Sequence, residues 1–150
     1  MTWFDTDQED LFAVLIDYEQ YHSFTSAIVE SRKQEPDAKG RPEFFNRMEG
    51  CVLFWCRTFI RIGSLELDSI DEVRAVVDAE RSDFKLSYEH WRLSTEDGRT
   101  CLVYEFEMIP DFWAPPVLVP YYIKRALRRV GARAAQHIEA LATGEEPPVL

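Results

Sequence analysis

Glycine is scarce in this chain of 150 residues: there are six, scattered along its length. None of them forms the glycine-rich loop that lets a backbone cradle phosphate, so nucleotide chemistry of that kind is excluded. No Gly-x-Ser-x-Gly elbow is present, which removes the α/β-hydrolase signature. The histidines, His22, His90 and His137, share no His-x-x-x-His or Cys/His spacing, so neither a metal site nor a cofactor is expected. No apolar run reaches the ~18 residues of a membrane-spanning helix. Basic residues are outnumbered, 17 against 27 acidic, and the resulting formal charge of −10 argues against nucleic acid as a partner. Cysteine is rare: Cys51, Cys56 and Cys101, with no Cys-x-x-Cys pair. An odd count without a signal peptide predicts small buried thiols, a reducing compartment and a cytoplasmic location.

What the chain does have is apolar material, 46% hydrophobic and 13% aromatic residues, which suffices for the core of one domain over residues 1–150 and for a lined cavity. Its most regular stretch comes last. After the proline-rich segment Pro110-Asp111-Phe112-Trp113-Ala114-Pro115-Pro116, residues Ile123, Leu127, Val130, Ala134, Ile138 and Leu141 recur at spacings of three and four. They predict a helix from about Pro120 to Ala142, with one apolar stripe and a stop at Gly144. At ~1.5 Å per residue it would be roughly 33 Å long and would need a broad apolar partner, for which a sheet is the candidate. Glu145 to Leu150 reads as a frayed tail.

The sheet is written in the preceding residues. Thr2–Phe4 reads as a stunted strand, Thr6 to Tyr18 and Gln20 to Phe24 as two small helices, and Ala27 to Lys33 as a strand. A loop over Glu35 to Pro42 leads into a β-rich stretch from Glu43 to Ile62, with Gly50 expected at a turn or bulge. There Cys56, Thr58, Ile60 and Ile62 are assigned inward, and Arg57 and Arg61 outward. Leu65 and Leu67 share one face of the next segment, and Val73 to Asp78 and Leu86 to Ser94 are further strands. Glu96-Asp97-Gly98 signals a hairpin into Thr100–Ile109, where Leu102, Tyr104, Phe106 and Met108 share a face. Helices segregated from about six antiparallel strands make the class α+β.

Several segments, taken in order, resemble the polyketide cyclase/dehydrase and coenzyme Q-binding branch of the START-like superfamily. They are Val14-Leu15-Ile16-Asp17-Tyr18-Glu19, Ile28-Val29-Glu30-Ser31-Arg32, Glu80-Arg81-Ser82-Asp83-Phe84-Lys85, Trp91-x-Leu93, Thr100-x-Leu102-x-Tyr104-x-Phe106 and the loop Pro110 to Pro116. The resemblance covers nearly the whole chain and departs from the family at the short first strand, so the sheet edge is expected to be incomplete. It implies a helix-grip fold, in which a curved sheet of six to seven strands wraps a long C-terminal helix. It also implies an apolar cavity for lipids, quinones or polyketides, with cyclases and aromatases in some branches.

The expected ligand-binding residues are Phe54, Trp91, Tyr104, Phe106, Phe112, Trp113, Tyr121, Ile123, Leu127 and Val130, an apolar lining with tyrosine hydroxyls as polar handles. Glu89, on the parity of Trp91, and Tyr104 are the acid–base candidates; the bland alternative for Glu89 is pairing with an arginine. His90 is expected outward, and His137 at the surface or at the edge of the helix stripe. Phe112 and Trp113 precede Lys124, Arg125, Arg128, Arg129 and Arg133, a combination that suits peripheral contact with an anionic membrane, a lid, or plain packing under the sheet edge. The leading expectation is a non-catalytic carrier of a hydrophobic small molecule. The alternatives are a cyclase or aromatase using the same cavity, and a protein-interaction domain with a filled core. An inward carboxylate or histidine would favour the enzyme.

Overall fold

A computed structural model describes residues 1–52, 54–113 and 134–146. Seven antiparallel strands form one curled sheet in the order β1-β7-β6-β5-β4-β3-β2. They are β1 (Thr2–Phe4), β2 (Ile28–Gln34), β3 (Glu43–Val52), β4 (Trp55–Ser69), β5 (Glu72–Val77), β6 (Phe84–Glu96) and β7 (Arg99–Pro110). Helices α1 (Gln8–Ile16) and α2 (Tyr21–Phe24) follow β1, and a last helix, α3, covers 134–143. The remainder of the expected C-terminal helix, 120–133, lies outside the described residues.

Local chemistry accounts for most of the boundaries. Asp97 and Gly98 both adopt positive φ, 52° and 76°. That pair of angles makes the turn whose twist matches the flanking strands β6 and β7. Gly144, at φ 73°, ends α3, and the Gly144 and Glu145 amides bond back to Leu141 and Ala140 carbonyls. Asp37 organises the loop between β2 and β3: its carboxylate accepts from the Lys39 and Arg41 amides, the Arg41 guanidinium and Ser64 Oγ. Those bonds, the Arg41 amide first, hold its carboxyl well below the usual range.

The core lies on the inner face. Leu11 and Leu15 of α1, with Tyr18, Tyr21 and Phe24, pack on Phe4, Phe44, Leu65, Val73, Ala75, Trp91, Leu93 and Leu102 of the sheet. Ala134, Ala135, Ile138 and Leu141 of α3 close over the same cluster.

Two expectations about β3 and β4 are corrected. Gly50 is no turn: it pairs with Arg57 inside the ladder, and the hairpin closes beyond Val52 and Trp55. Its lack of a side chain serves packing instead, because the Phe59 ring lies where a Cβ would stand, 3.0 Å from that point. Nor does β4 break at Gly63. It runs unbroken for 15 residues, so the inward parity of Leu65 carries back through Gly63 to Arg61 and Phe59. Arg61 is therefore buried, while Cys56, Thr58 and Ile60 lie on the exposed outer side. A further correction concerns the cysteines. Cys51 and Cys56 are exposed and joined by a disulfide, and Cys101 is the buried thiol. The expectation of small buried thiols is overturned at Cys51 and Cys56.

At one edge, β1 pairs with β7 only from Thr100 to Leu102. Among the described residues, the rest of β7 has β6 on one side and no strand on the other.

Candidate functional site

β5 ends at Val77, opposite Gly63, and β4 continues past it. The gap is bridged by the segment before β6: the Ile60 amide donates to Asp83, and Ser82 Oγ exchanges bonds with the backbone of Ile62. Where β5 is missing, Arg61 reaches across to β6. Its Nε donates to Ser87 Oγ at 3.1 Å, and its Nη2 lies 2.6 Å from Glu89 Oε1. Both charges are nearly sealed from solvent, Arg61 at 2% and Glu89 at 6% exposure. The pair is a buried, charge-assisted contact in which Glu89 both attracts the guanidinium and accepts from it.

Other polar groups gather on this face. Asn46 stands directly opposite Arg61 in the β3–β4 register, wholly buried. Neither its Oδ1 nor its Nδ2 finds a partner among the described residues, and the same holds for Tyr18 Oη. An unpaired buried amide costs roughly 1–3 kcal/mol, so such a cluster is a standing demand for hydrogen bonds. Burial opposes the Arg61 charge, but Glu89 and the nearby phenols more than offset it, and its pKa is raised. Burial also pushes the phenols of Tyr18, Tyr21 and Tyr104 well above their usual range, with Tyr21 and Glu89 adding to the rise at Tyr18 and Glu89 adding to it at the other two. They are neutral donors, and acid–base work by Tyr104 at neutral pH is disfavoured.

Tyr104 lies deep enough for burial to dominate its titration, yet 40% of its surface is accessible. It stacks on Trp91 at 5.5 Å and on Phe106 at 5.8 Å, so three of the expected residues come together on one wall. Trp91 itself is buried in the core cluster, and Phe106 is half-buried. Phe112 packs inward, stacked on Phe59 at 4.9 Å with the Arg57 guanidinium 4.4 Å from its ring centre. Its neighbour Trp113 turns out, 79% exposed. Phe54 stands apart from this group, 97% exposed in the hairpin turn. Tyr121, Ile123, Leu127 and Val130 lie outside the described residues, as do the basic residues from Lys124 to Arg133.

Glu89 faces inward as expected, and it is paired with an arginine. His90 lies on the other face, with Nε2 2.6 Å from Glu72. His137, expected at the surface or stripe edge, is buried against Phe24, ring centres 6.3 Å apart, with Nδ1 unpartnered among the described residues. Asn46, Arg61 and Ser87 were missed as site residues. The signal that finds Arg61 is the odd parity of Leu65, continued along an unbroken strand. Among the described residues, no cluster of His, Cys, Asp and Glu is arranged to hold a metal ion, and no helix is long and apolar enough to cross a membrane.

Solved structures with this architecture are distant in sequence. A START superfamily protein from Mycobacterium smegmatis superposes with a TM-score of 0.69 at 14% identity, over 95% of this chain and 94% of that one. The Zhui aromatase/cyclase from Streptomyces sp. R1128 gives 0.66 at 14%, over 95% and 88%. A STAR-related lipid transfer protein from Xanthomonas axonopodis gives 0.64 at 12%, over 91% and 82%. No curated protein sequence is significantly similar to the chain. A family model does match: residues 5–134 fit polyketide cyclase / dehydrase and lipid transport. With its helix-grip architecture and most of its length inside that match, the chain belongs to the polyketide cyclase/dehydrase and lipid transport family within the START-like superfamily.

Proposed function

We propose that this protein binds a hydrophobic small molecule carrying one polar, acceptor-bearing end: a hydroxyl, carbonyl or carboxylate on a lipid, quinone or aromatic polyketide. The observation that carries the reading is the Asn46–Arg61 pair on the inner face, where Asn46 and Tyr18 hold polar atoms with no partner among the described residues, beside an accessible Tyr104. A packed structural core gains nothing from such groups, whereas a ligand end-group satisfies them. Apolar area removed from water, at ~25 cal/mol per Å², supplies most of the affinity against Tyr104, Phe106 and Trp91, and the polar pair sets which end enters first. The relatives' names point the same way, toward lipid transfer and aromatase/cyclase proteins.

A second reading, a cyclase-type enzyme, is favoured by one specific observation. A buried cation beside a neutral phenol is suited to stabilising the negative charge that develops on a carbonyl oxygen during enolate formation. Glu89, held by Arg61, then positions the cation and is not the free base.

Native mass spectrometry with a panel of fatty acids, isoprenoid quinones and polycyclic phenols tests the first reading. Uptake by the wild type, reduced at least about tenfold in Asn46→Leu with the fold intact, is the expected result. Equal uptake by the two proteins, or none by either, would overturn it. Conversion of a bound poly-β-ketone chain to a ring, lost in Arg61→Met, would move the assignment to the enzyme.

A further inference from the structure

We infer that Cys51 and Cys56 form a thiol–disulfide exchange site, open to low-molecular-weight thiols and to dithiol proteins, on the outer side of the β3–β4 hairpin. Three observations carry this, and none depends on what the inner face binds.

The first is access. Both half-cystines are exposed, in a stretch whose neighbours Phe54, Arg57 and Thr58 are exposed too. Exchange requires in-line approach of a thiolate to a sulfur, and exposed disulfides are the labile ones. Cys101, the free cysteine, is buried and offers no competing target.

The second is that the bond is dispensable to the fold. It links residues five apart, directly opposite in the ladder. A ring this short removes less entropy from the unfolded chain than a long one, so the bond adds less than one closing a long loop. The hairpin has its own ladder, with Met48↔Phe59, Glu49↔Thr58 and Gly50↔Arg57 next to the disulfide. Phe59 and Arg57 are tied in turn to Phe112.

The third is that the same ladder makes the chemistry reversible. With the Cα atoms held 4.0 Å apart by strand pairing, the two thiols still face each other after reduction. The resolving step is then intramolecular, at high effective concentration.

The reaction balances as follows. A thiolate of the reductant attacks one sulfur, the S–S bond breaks, and the other cysteine leaves as a thiolate that takes up a proton. A second thiol of the reductant resolves the mixed disulfide. The protein ends as a dithiol and the reductant as its disulfide, two electrons transferred in all. Oxidation is the reverse, with a low-molecular-weight disulfide as the oxidant. The consequence falls on the hairpin tip where Val52 pairs with Trp55, which is cross-linked at its base in one state and held by backbone pairing alone in the other.

The test uses the whole chain, folded, in graded ratios of reduced and oxidised glutathione, quenched with N-ethylmaleimide and mapped by peptide mass. The expected result is alkylation of Cys51 and Cys56 together as the ratio becomes reducing, with Cys101 untouched, and full reversal when oxidised glutathione is returned. Limited proteolysis should cut the tip faster in the reduced protein, with other sites unchanged. The Cys51→Ser/Cys56→Ser double variant should fold and resemble the reduced form, and Cys51→Ser alone should trap glutathione on Cys56. The inference is overturned if reduction needs denaturant, if the two cysteines stay as thiols at every ratio, or if the double variant fails to fold.

Discussion

One face of one sheet behaves in two ways. Toward α1 it is a packed solid: Leu11, Leu15 and Tyr18 meet Phe4, Phe44, Val73 and Ala75 with almost no accessible surface. Toward the β3–β4 hairpin the same face carries the Arg61–Glu89 pair and an Asn46 amide without a partner among the described residues, and ends in exposed Phe54 and Trp113. The strands are continuous between the two halves, so backbone pairing does not make the difference. It lies in what covers the face. Two short helices and a stack of aromatic rings, Tyr21 on Tyr18 at 3.9 Å and Tyr18 on Phe44 at 4.3 Å, seal the first half. On the reading proposed above, stability and binding fall to different ends of the same strands.

Substitutions should separate the two ends by size of effect. Glu89→Gln strands the buried Arg61 charge, and a loss of about 3–5 kcal/mol is expected in denaturant unfolding. The pair replaced together, Arg61→Met with Glu89→Leu, should recover wild-type stability or exceed it while ligand uptake is lost; an unstable double variant would mean that the polar half is structural after all. At the sealed end, Leu11→Ala removes a fully buried side chain, and about 2–5 kcal/mol should be lost, with uptake per folded molecule unchanged.

The tyrosines give the next effect. Their folded pKa values are raised, so the stability they contribute is complete below the unfolded value of about 10 and drains away as pH climbs through and beyond it. Thermal unfolding between pH 9 and 12 should show a slope of up to about 1.4 kcal/mol per pH unit for each of Tyr18 and Tyr21, and Tyr18→Phe should flatten it by one such step. Asn46→Leu should leave stability unchanged or raise it by about 1 kcal/mol, since an unpartnered amide is exchanged for an apolar group of similar volume. Phe54→Ser, at the far tip, should change stability by less than about 0.5 kcal/mol.

Much of the fold was legible in the sequence because alternation and turn chemistry are local. The Asp97-Gly98 turn, the face shared by Leu102, Tyr104 and Phe106, and the stop at Gly144 each rest on a few adjacent residues. The site was less legible. Tyr104 is expected in the site from strand parity and the family resemblance together, whereas Arg61 is expected outward because a charged residue on a strand is usually solvated and the β-rich stretch reads as ending at Ile62. Its inward course follows from β4 running unbroken through Gly63, and its partner Ser87 lies 26 residues away in sequence, so neither leaves a local mark. Asn46 was invisible for the same reason: nothing beside it in the chain says that its partner across the ladder is a buried cation. The Cys51–Cys56 bond was missed because composition set the expectation, and composition does not register that two cysteines five apart face each other across a tight hairpin.

The brevity of β1 has a bearing on how the protein keeps company with itself. From Val103 onward β7 shows its free backbone edge to the surroundings, among the described residues, and an open edge of that length is an invitation to another copy. Glu105 and Glu107 stand along it, so two molecules approaching edge to edge bring like charges together before any backbone group can pair. A charge-neutralising change at Glu107 should therefore ease edge-to-edge association, read as a concentration-dependent rise in mass by sedimentation velocity.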